Sequence, residues 1–167
     1  MKNTIIKRHI AINASKEKVW NALADFGNVQ NLSPNIKKSF LTSTDKVGLG
    51  STRHCDFYSF GASVDEKIIA WDEGNSMKIE LFNLKNLPMV SRMGALFELE
   101  EKNGQTLING TFEYHMSNSL GQLLNKLKME KMNTKSWEAF LAGIKHNLET
   151  GENVDKGTPL DLSVVTD

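Results

Sequence analysis

The chain has 167 residues, 40% hydrophobic and 24% charged, and its twenty basic and twenty acidic side chains cancel to a formal net charge of zero. That length suits one domain that buries roughly two-thirds of its unfolded surface, and the balanced charge leaves no broad electrostatic case for nucleic acid or an anionic membrane. A single cysteine, Cys55, excludes an internal disulfide framework and a multi-cysteine zinc site.

In the opening run MKNTIIKRHIAINAS, charges interrupt every apolar stretch, so no signal peptide or membrane span is expected and the cytoplasm is the default compartment. Thr4 to Asn13 places Ile6, Ile10 and Ile12 on one face and Lys7 and His9 on the other, which predicts a half-buried strand. Ser15 is a good N-cap, Glu17 suits the first turn, and Val19, Trp20, Leu23 and Ala24 give a helix its apolar face. That helix is expected to end near Phe26-Gly27 with Gly27 as its stop, followed by a short second helix over Asn28 to Leu32 that Pro34 breaks.

From Ile36 to Met116 the pattern predicts six strands: Ile36 to Ser43, Ser51 to Tyr58, Ser63 to Trp71, Ser76 to Leu84, Ser91 to Glu101 and Gln105 to Met116. DKVGLG, Phe60-Gly61, DEGN and KNG punctuate them as turns. A long helix follows from about Leu120 to Glu149, and no repeat is present. The domain is therefore drawn at 1–149. The tail from Thr150, acidic and marked by Gly and Pro, reads as extended or mobile, with Leu160, Leu162 and Val164 able to dock.

The long helix carries a buried stripe, Trp137, Leu141, Ile144 and Leu148, at spacings of three and four. Followed toward the N-terminus, the same face turns polar through Thr134, Asn133, Glu130 and Lys126. Either that polar run is the rim of a pocket, or the helix bends near Met132 so that Leu120, Leu124 and Leu127, on a face turned about 100° away, pack instead. A long antiparallel sheet with one such helix buries its core by curling around it.

Several segments together carry a family likeness. INASKEKVWNALADFGNVQNLSP, GLGSTRHCDF, VDEKIIAWDEGNSMKIEL, TLINGTFEY and WEAFLAGIKHNLE follow one another over about Thr4 to Glu149. In order and spacing they resemble the START-like, or Bet v 1-like (SRPBCC), superfamily, in its polyketide cyclase/dehydrase and lipid-transport group. The resemblance implies an α+β helix-grip fold, a curved seven-stranded antiparallel sheet wrapped on the C-terminal helix, with two short helices after the first strand. It also implies a cavity between sheet and helix for a lipid, polyketide, hormone or other apolar molecule. LPMVSRMGALF lacks a tyrosine that some ligand-binding members carry there, and Asn147 stands where a leucine is usual.

Strand parity gives a lining for that cavity. It comprises Ser51, Arg53, Cys55 and Phe57; Val64, Glu66, Ile68 and Ala70; Met77, Ile79 and Leu81; Ser91, Met93, Ala95 and Phe97; and Ile108, Gly110, Phe112 and Tyr114. From the helix come Glu130, Asn133, Thr134, Trp137 and Leu141. Such a mostly apolar set suits a small-molecule pocket and equally a filled core. Arg53 and Glu66 are the polar exceptions, expected either to pair or to meet a ligand carboxylate and hydroxyl. Lys38 resembles the lysine that hormone-binding relatives use for an acid group.

His54 and Asp56 share a strand face that parity turns outward, and His54-Cys55-Asp56 alternates sides, so no metal site is expected. Gly48 and Gly50 lack the third glycine of a nucleotide loop, and Lys126, Lys128, Lys131 and Lys135 read as a solvated surface. Three functions remain open: a binding or carrier protein for an apolar small molecule, a cyclase/aromatase-type enzyme with Glu66 and Arg53 as its candidate catalytic groups, and a protein-binding adaptor. No cofactor, nucleic acid or stable membrane insertion is expected, and the protein is expected to be a monomer or homodimer.

Overall fold

The structure is a computed structural model and describes residues 3–87 and 89–167. Seven strands form one antiparallel sheet in the order β1-β7-β6-β5-β4-β3-β2. They are β1 (Asn3–Ile12), β2 (Ile36–Leu41), β3 (Thr52–Phe57), β4 (Ser63–Asp72), β5 (Ser76–Lys85), β6 (Val90–Lys102) and β7 (Gln105–Met116). Between β1 and β2 lie helix α1 (Lys16–Ala24) and a 3-10 segment (Phe26–Leu32). The C-terminal helix runs as α2 (Ser119–Leu124), a π turn (Asn125–Met129) and α3 (Glu130–Thr150). This is the helix-grip architecture the resemblance implies.

Alternation places Ile10, Ile12, Val64, Ile68, Met77, Ile79, Phe97 and Ile108 in one buried layer, against which Trp137, Leu141, Ile144 and Leu148 of α3 pack. β7 makes room for that contact at Gly110, where an added Cβ would lie 2.9 Å from the Trp137 ring. The helix comes still closer at Gly143, whose missing Cβ would fall 2.3 Å from the Leu32 carbonyl oxygen. Glycine is required there by the approach of one backbone to another.

Three local expectations are corrected. Helix α1 stops at Asp25, whose N–H bonds the Asn21 carbonyl, so Gly27 is not its stop; Gly27 sits inside the 3-10 segment and its carbonyl accepts from Ser39 Oγ at 2.6 Å. A bulge between Ile68 and Ala70 reverses the parity of the rest of β4, leaving Ala70 outward while Trp71 packs edge-on against Trp20 at 4.7 Å. A second bulge, between Val90 and Arg92, turns Ser91 out to solvent, where its hydroxyl donates to the His115 carbonyl at 3.3 Å.

The C-terminal helix answers the question its sequence raised. A one-residue π insertion interrupts it at Asn125–Met129, upstream of Met132. Asn125 is buried there, accepting from Tyr114 Oη at 2.6 Å and donating to Thr4 Oγ1 at 3.0 Å. Skipping one residue adds about 100° to the offset between the two halves, so the leucine face ends up roughly opposite the Trp137 stripe. Leu120, Leu124 and Leu127 are accordingly exposed, not packed.

Gly151, at φ 78°, terminates α3 in the left-handed region with its N–H on the Asn147 carbonyl. Asn147 donates from its side chain to the Glu152 carbonyl at 2.9 Å, a role that leucine could not fill. The tail then returns along the domain. Val154 N–H donates to the Asn31 carbonyl, Val165 is buried, and Thr166 bridges to His9 of β1.

Candidate functional site

A cavity of about 310 Å³ lies between the sheet and α3. The sheet supplies Ile79, Leu81, Met93, Ala95, Phe97 and Phe112, and α3 supplies Met132, Asn133, Ser136, Trp137 and Phe140. The remaining wall comes from Val29, from the approach to β2 (Ser33, Asn35, Ile36), from the β3–β4 turn (Ser59, Phe60, Ala62) and from Leu87. The space is of the order of ten water molecules. It survives beside a tight aromatic cluster, in which Trp137 stacks on Phe112 at 5.6 Å and meets Phe97 at 5.4 Å and Phe140 at 5.7 Å.

Two charged side chains line it, Arg53 and Glu66. They are direct cross-strand partners on β3 and β4, so register alone brings their side chains to the same face. Arg53 Nε donates to Glu66 Oε2 at 2.8 Å, and Nη2 donates to the same oxygen. Nη1 donates to the Phe26 carbonyl at 2.8 Å, while the guanidinium lies over the Phe26 ring at 3.9 Å. Both residues are buried, and the pair sums to zero charge. Both bonds from Arg53 to Glu66 go to Oε2, and the guanidinium leaves the second carboxylate oxygen, Oε1, unengaged.

Of the residues predicted from sequence, the fold brings Arg53, Phe57, Glu66, Ile79, Leu81, Met93, Ala95, Phe97, Phe112, Asn133 and Trp137 to the cavity wall. Cys55, Ile68, Met77, Ile108 and Leu141 point inward as parity requires but are closed off in the core beside it. Tyr114 is also buried, its hydroxyl committed to Asn125. Lys38 is exposed and stands 5.3 Å over the Phe40 ring, away from the cavity, because the Ile36/Lys38 bulge sets it on the outer face. Ser91 lies outside for the reason given above. Glu130 is exposed, and Thr134 returns its hydroxyl to the Glu130 carbonyl at 2.8 Å.

Strand parity missed the wall built by loops, in particular Ser33, Asn35, Ser59 and Phe60. Met132, Ser136 and Phe140 were legible as an i, i+4, i+8 line beside the Trp137 stripe. Phe60 carried a signal too, as an aromatic at a turn tip.

Other reactive groups are held elsewhere. Burial, reinforced by the Glu66 charge, pushes the Cys55 thiol well above its usual range, which disfavours the thiolate. His54 faces outward between Asp65 (2.6 Å) and Asp56 (3.3 Å), whose hydrogen bonds raise its pKa above 6.5. Asp65 also accepts from Asn83 at 2.6 Å. Among the described residues no group of three His, Cys, Asp or Glu is placed to hold a metal ion.

The family model described as polyketide cyclase/dehydrase and lipid transport matches residues 4–149. The chain belongs to this family. Among solved structures, this member of the cyclase/dehydrase and lipid-transport family is similar to Ara h 8.0201, with a TM-score of 0.68 at 14% identity over 89% of this chain and 99% of that one. It is also similar to the protein XoxI from Bacillus cereus, with a TM-score of 0.67 at 16% identity over 90% of this chain and 97% of that one. At such identities the two structures establish the fold, which is the Bet v 1-like helix grip. No curated protein matches the sequence. No helix among the described residues is long and apolar enough to cross a membrane.

Proposed function

We propose that the protein binds an uncharged, largely apolar small molecule carrying one hydrogen-bond donor, held between the sheet and α3. The observation that carries this reading is a cavity of about 310 Å³ whose two charged wall residues neutralise one another while Oε1 of Glu66 stays unclaimed by Arg53. An apolar lining with few polar groups is how small-molecule sites bind and orient a ligand. An anionic ligand is disfavoured, because drawing Arg53 toward it strands Glu66 in a buried site, at about 3–5 kcal/mol. A hydroxyl or amine N–H reaching Oε1 meets no such penalty.

The test is a fluorescence titration with N-phenylnaphthylamine, which is neutral and has one N–H, beside its sulfonated analogue. Tighter binding of the neutral dye, abolished by Ala95→Phe, is expected, since Ala95 lies on the wall and a phenyl ring there fills the space. Equal affinity for the two dyes, or uptake unchanged in Ala95→Phe, overturns the reading. The family's cyclase chemistry is a second reading that draws on the same oxygen: Glu66 Oε1 is free to accept a proton from a bound substrate, beside the Arg53 guanidinium. Equal turnover of a candidate polyketide by wild type and Glu66→Gln ends it.

A further inference from the structure

The face that the π turn forces outward carries a run of exposed leucines that the packing of the fold does not explain. Leu120, Leu123, Leu124 and Leu127 are 58%, 56%, 39% and 73% exposed, on consecutive turns and one side of α2 and the π turn. Four leucines in such an array are costly to leave in water, and a solvated helix does not need them. Leu120, Leu123 and Leu124 of α2 lie within an arc of roughly 100° on a helical wheel, and the π turn that follows carries exposed Leu127 between the exposed Lys126 and Lys128. From residue 126 to 135 four exposed lysines stand against Glu130 alone, in a chain whose total charge is zero. An apolar stripe edged by lysines is the pattern of a helix that lies in the interface of an anionic bilayer.

The stripe is also continuous with the cavity. Met132, 49% exposed, follows Leu127 along the helix and lines the cavity, as do Asn133 and Ser136. Phe60, 89% exposed in the β3–β4 turn, lines it too. A bilayer that takes up the leucines therefore lies next to Met132, an exposed side chain of the cavity wall.

We propose that α2 and the π turn form a peripheral docking surface for anionic lipid bilayers, with the leucines entering the headgroup–acyl boundary and the flanking lysines meeting lipid phosphates. The contact is reversible and needs no spanning segment. It gives the cavity reading a source for its ligand, but vesicle binding is measured without any ligand and stands or falls separately. The lysine surplus distinguishes a lipid surface from a second copy of this chain, which would present the same positive patch to itself.

The experiment is co-sedimentation of the full chain with vesicles of phosphatidylcholine alone and of phosphatidylcholine with phosphatidylglycerol, at low and high salt. Binding to the anionic vesicles that weakens with salt is expected. Lys126→Gln with Lys128→Gln lowers affinity about fivefold per lysine removed. Leu120→Ser with Leu127→Ser lowers it at least about tenfold, while N-phenylnaphthylamine uptake in the cavity is unchanged. All four positions are exposed, so the variants keep the fold, which the thermal midpoint checks. No vesicle binding, binding indifferent to the leucine variant, or a dimer in light scattering that the leucine variant splits into monomers each overturns the inference. Vesicle binding without dye uptake keeps the docking surface and removes the cavity reading; dye uptake without vesicle binding does the reverse.

Discussion

The Arg53–Glu66 pair should behave as a unit, and a double-mutant cycle on it gives the sharpest stability prediction. Arg53 is 5% and Glu66 6% exposed, so solvent cannot replace a lost partner. Arg53→Met leaves the Glu66 carboxylate buried without its two guanidinium bonds and also removes the bond to the Phe26 carbonyl and the contact over the Phe26 ring. Breaking a buried pair this way costs about 3–5 kcal/mol. Glu66→Leu leaves the buried Arg53 guanidinium with the Phe26 carbonyl as its hydrogen-bond partner and belongs in the same range. At roughly 2–4 °C per kcal/mol for a chain of this size, the singles should melt about 6–20 °C below wild type. Arg53→Met combined with Glu66→Leu removes both charges and leaves chiefly the Phe26 carbonyl without its donor. It should therefore recover to within about 1–2 kcal/mol of wild type. Urea midpoints at constant m-value measure all four proteins. Single losses under about 1 kcal/mol, or a double mutant whose loss equals the sum of the singles, would refute the account of a neutral, mutually satisfied pair in the cavity wall.

Three further outcomes follow from particular contacts. Gly110→Ala drives a methyl to 2.9 Å from Trp137 and 3.2 Å from Leu141, and should cost about 1–3 kcal/mol with a shift in tryptophan emission; an unchanged spectrum and midpoint would mean α3 is not seated on β7 as described. Tyr114→Phe strips the donor from buried Asn125 and should cost about 1–3 kcal/mol, read by urea unfolding, with hydrogen exchange quickening around the π turn. His54, raised above 6.5 chiefly by its bond to Asp65, contributes stability that is complete below pH 6.5 and is lost as pH rises through its folded-state pKa. The stability gap between wild type and His54→Gln should narrow across that interval, and a gap that widens with pH would reverse the assignment.

Much of the fold was legible because its causes are local. Ile6, Ile10 and Ile12 alternate because β1 has one buried face, and Trp137, Leu141, Ile144 and Leu148 recur at helical spacing because α3 has one buried stripe. The pairing of Arg53 with Glu66 was legible once both strands were placed on the same parity. Parity failed where a bulge inserted a residue, at Ala70 and Ser91, and a third bulge puts Lys38, expected at the site from the resemblance, on the outer face; a bulge trades one ladder bond for a bend and leaves no fixed residue signature. The π turn was hidden for a related reason. Asn125 looks like one more polar residue on a polar helix, and only its distant partners Thr4 and Tyr114 make its burial worthwhile. The loop-built cavity wall, Ser33, Asn35 and Ser59 among it, depends on chain paths that no periodicity encodes.

Native mass spectrometry of freshly purified protein, wild type beside Ala95→Phe, tests the central claim most directly. The account predicts that wild type carries one added mass of an uncharged compound that is lost on denaturation, or takes up N-phenylnaphthylamine one-to-one if it arrives empty, and that Ala95→Phe does neither. A wild type that stays empty and refuses the dye, or an Ala95→Phe protein that binds as well as wild type, would contradict it.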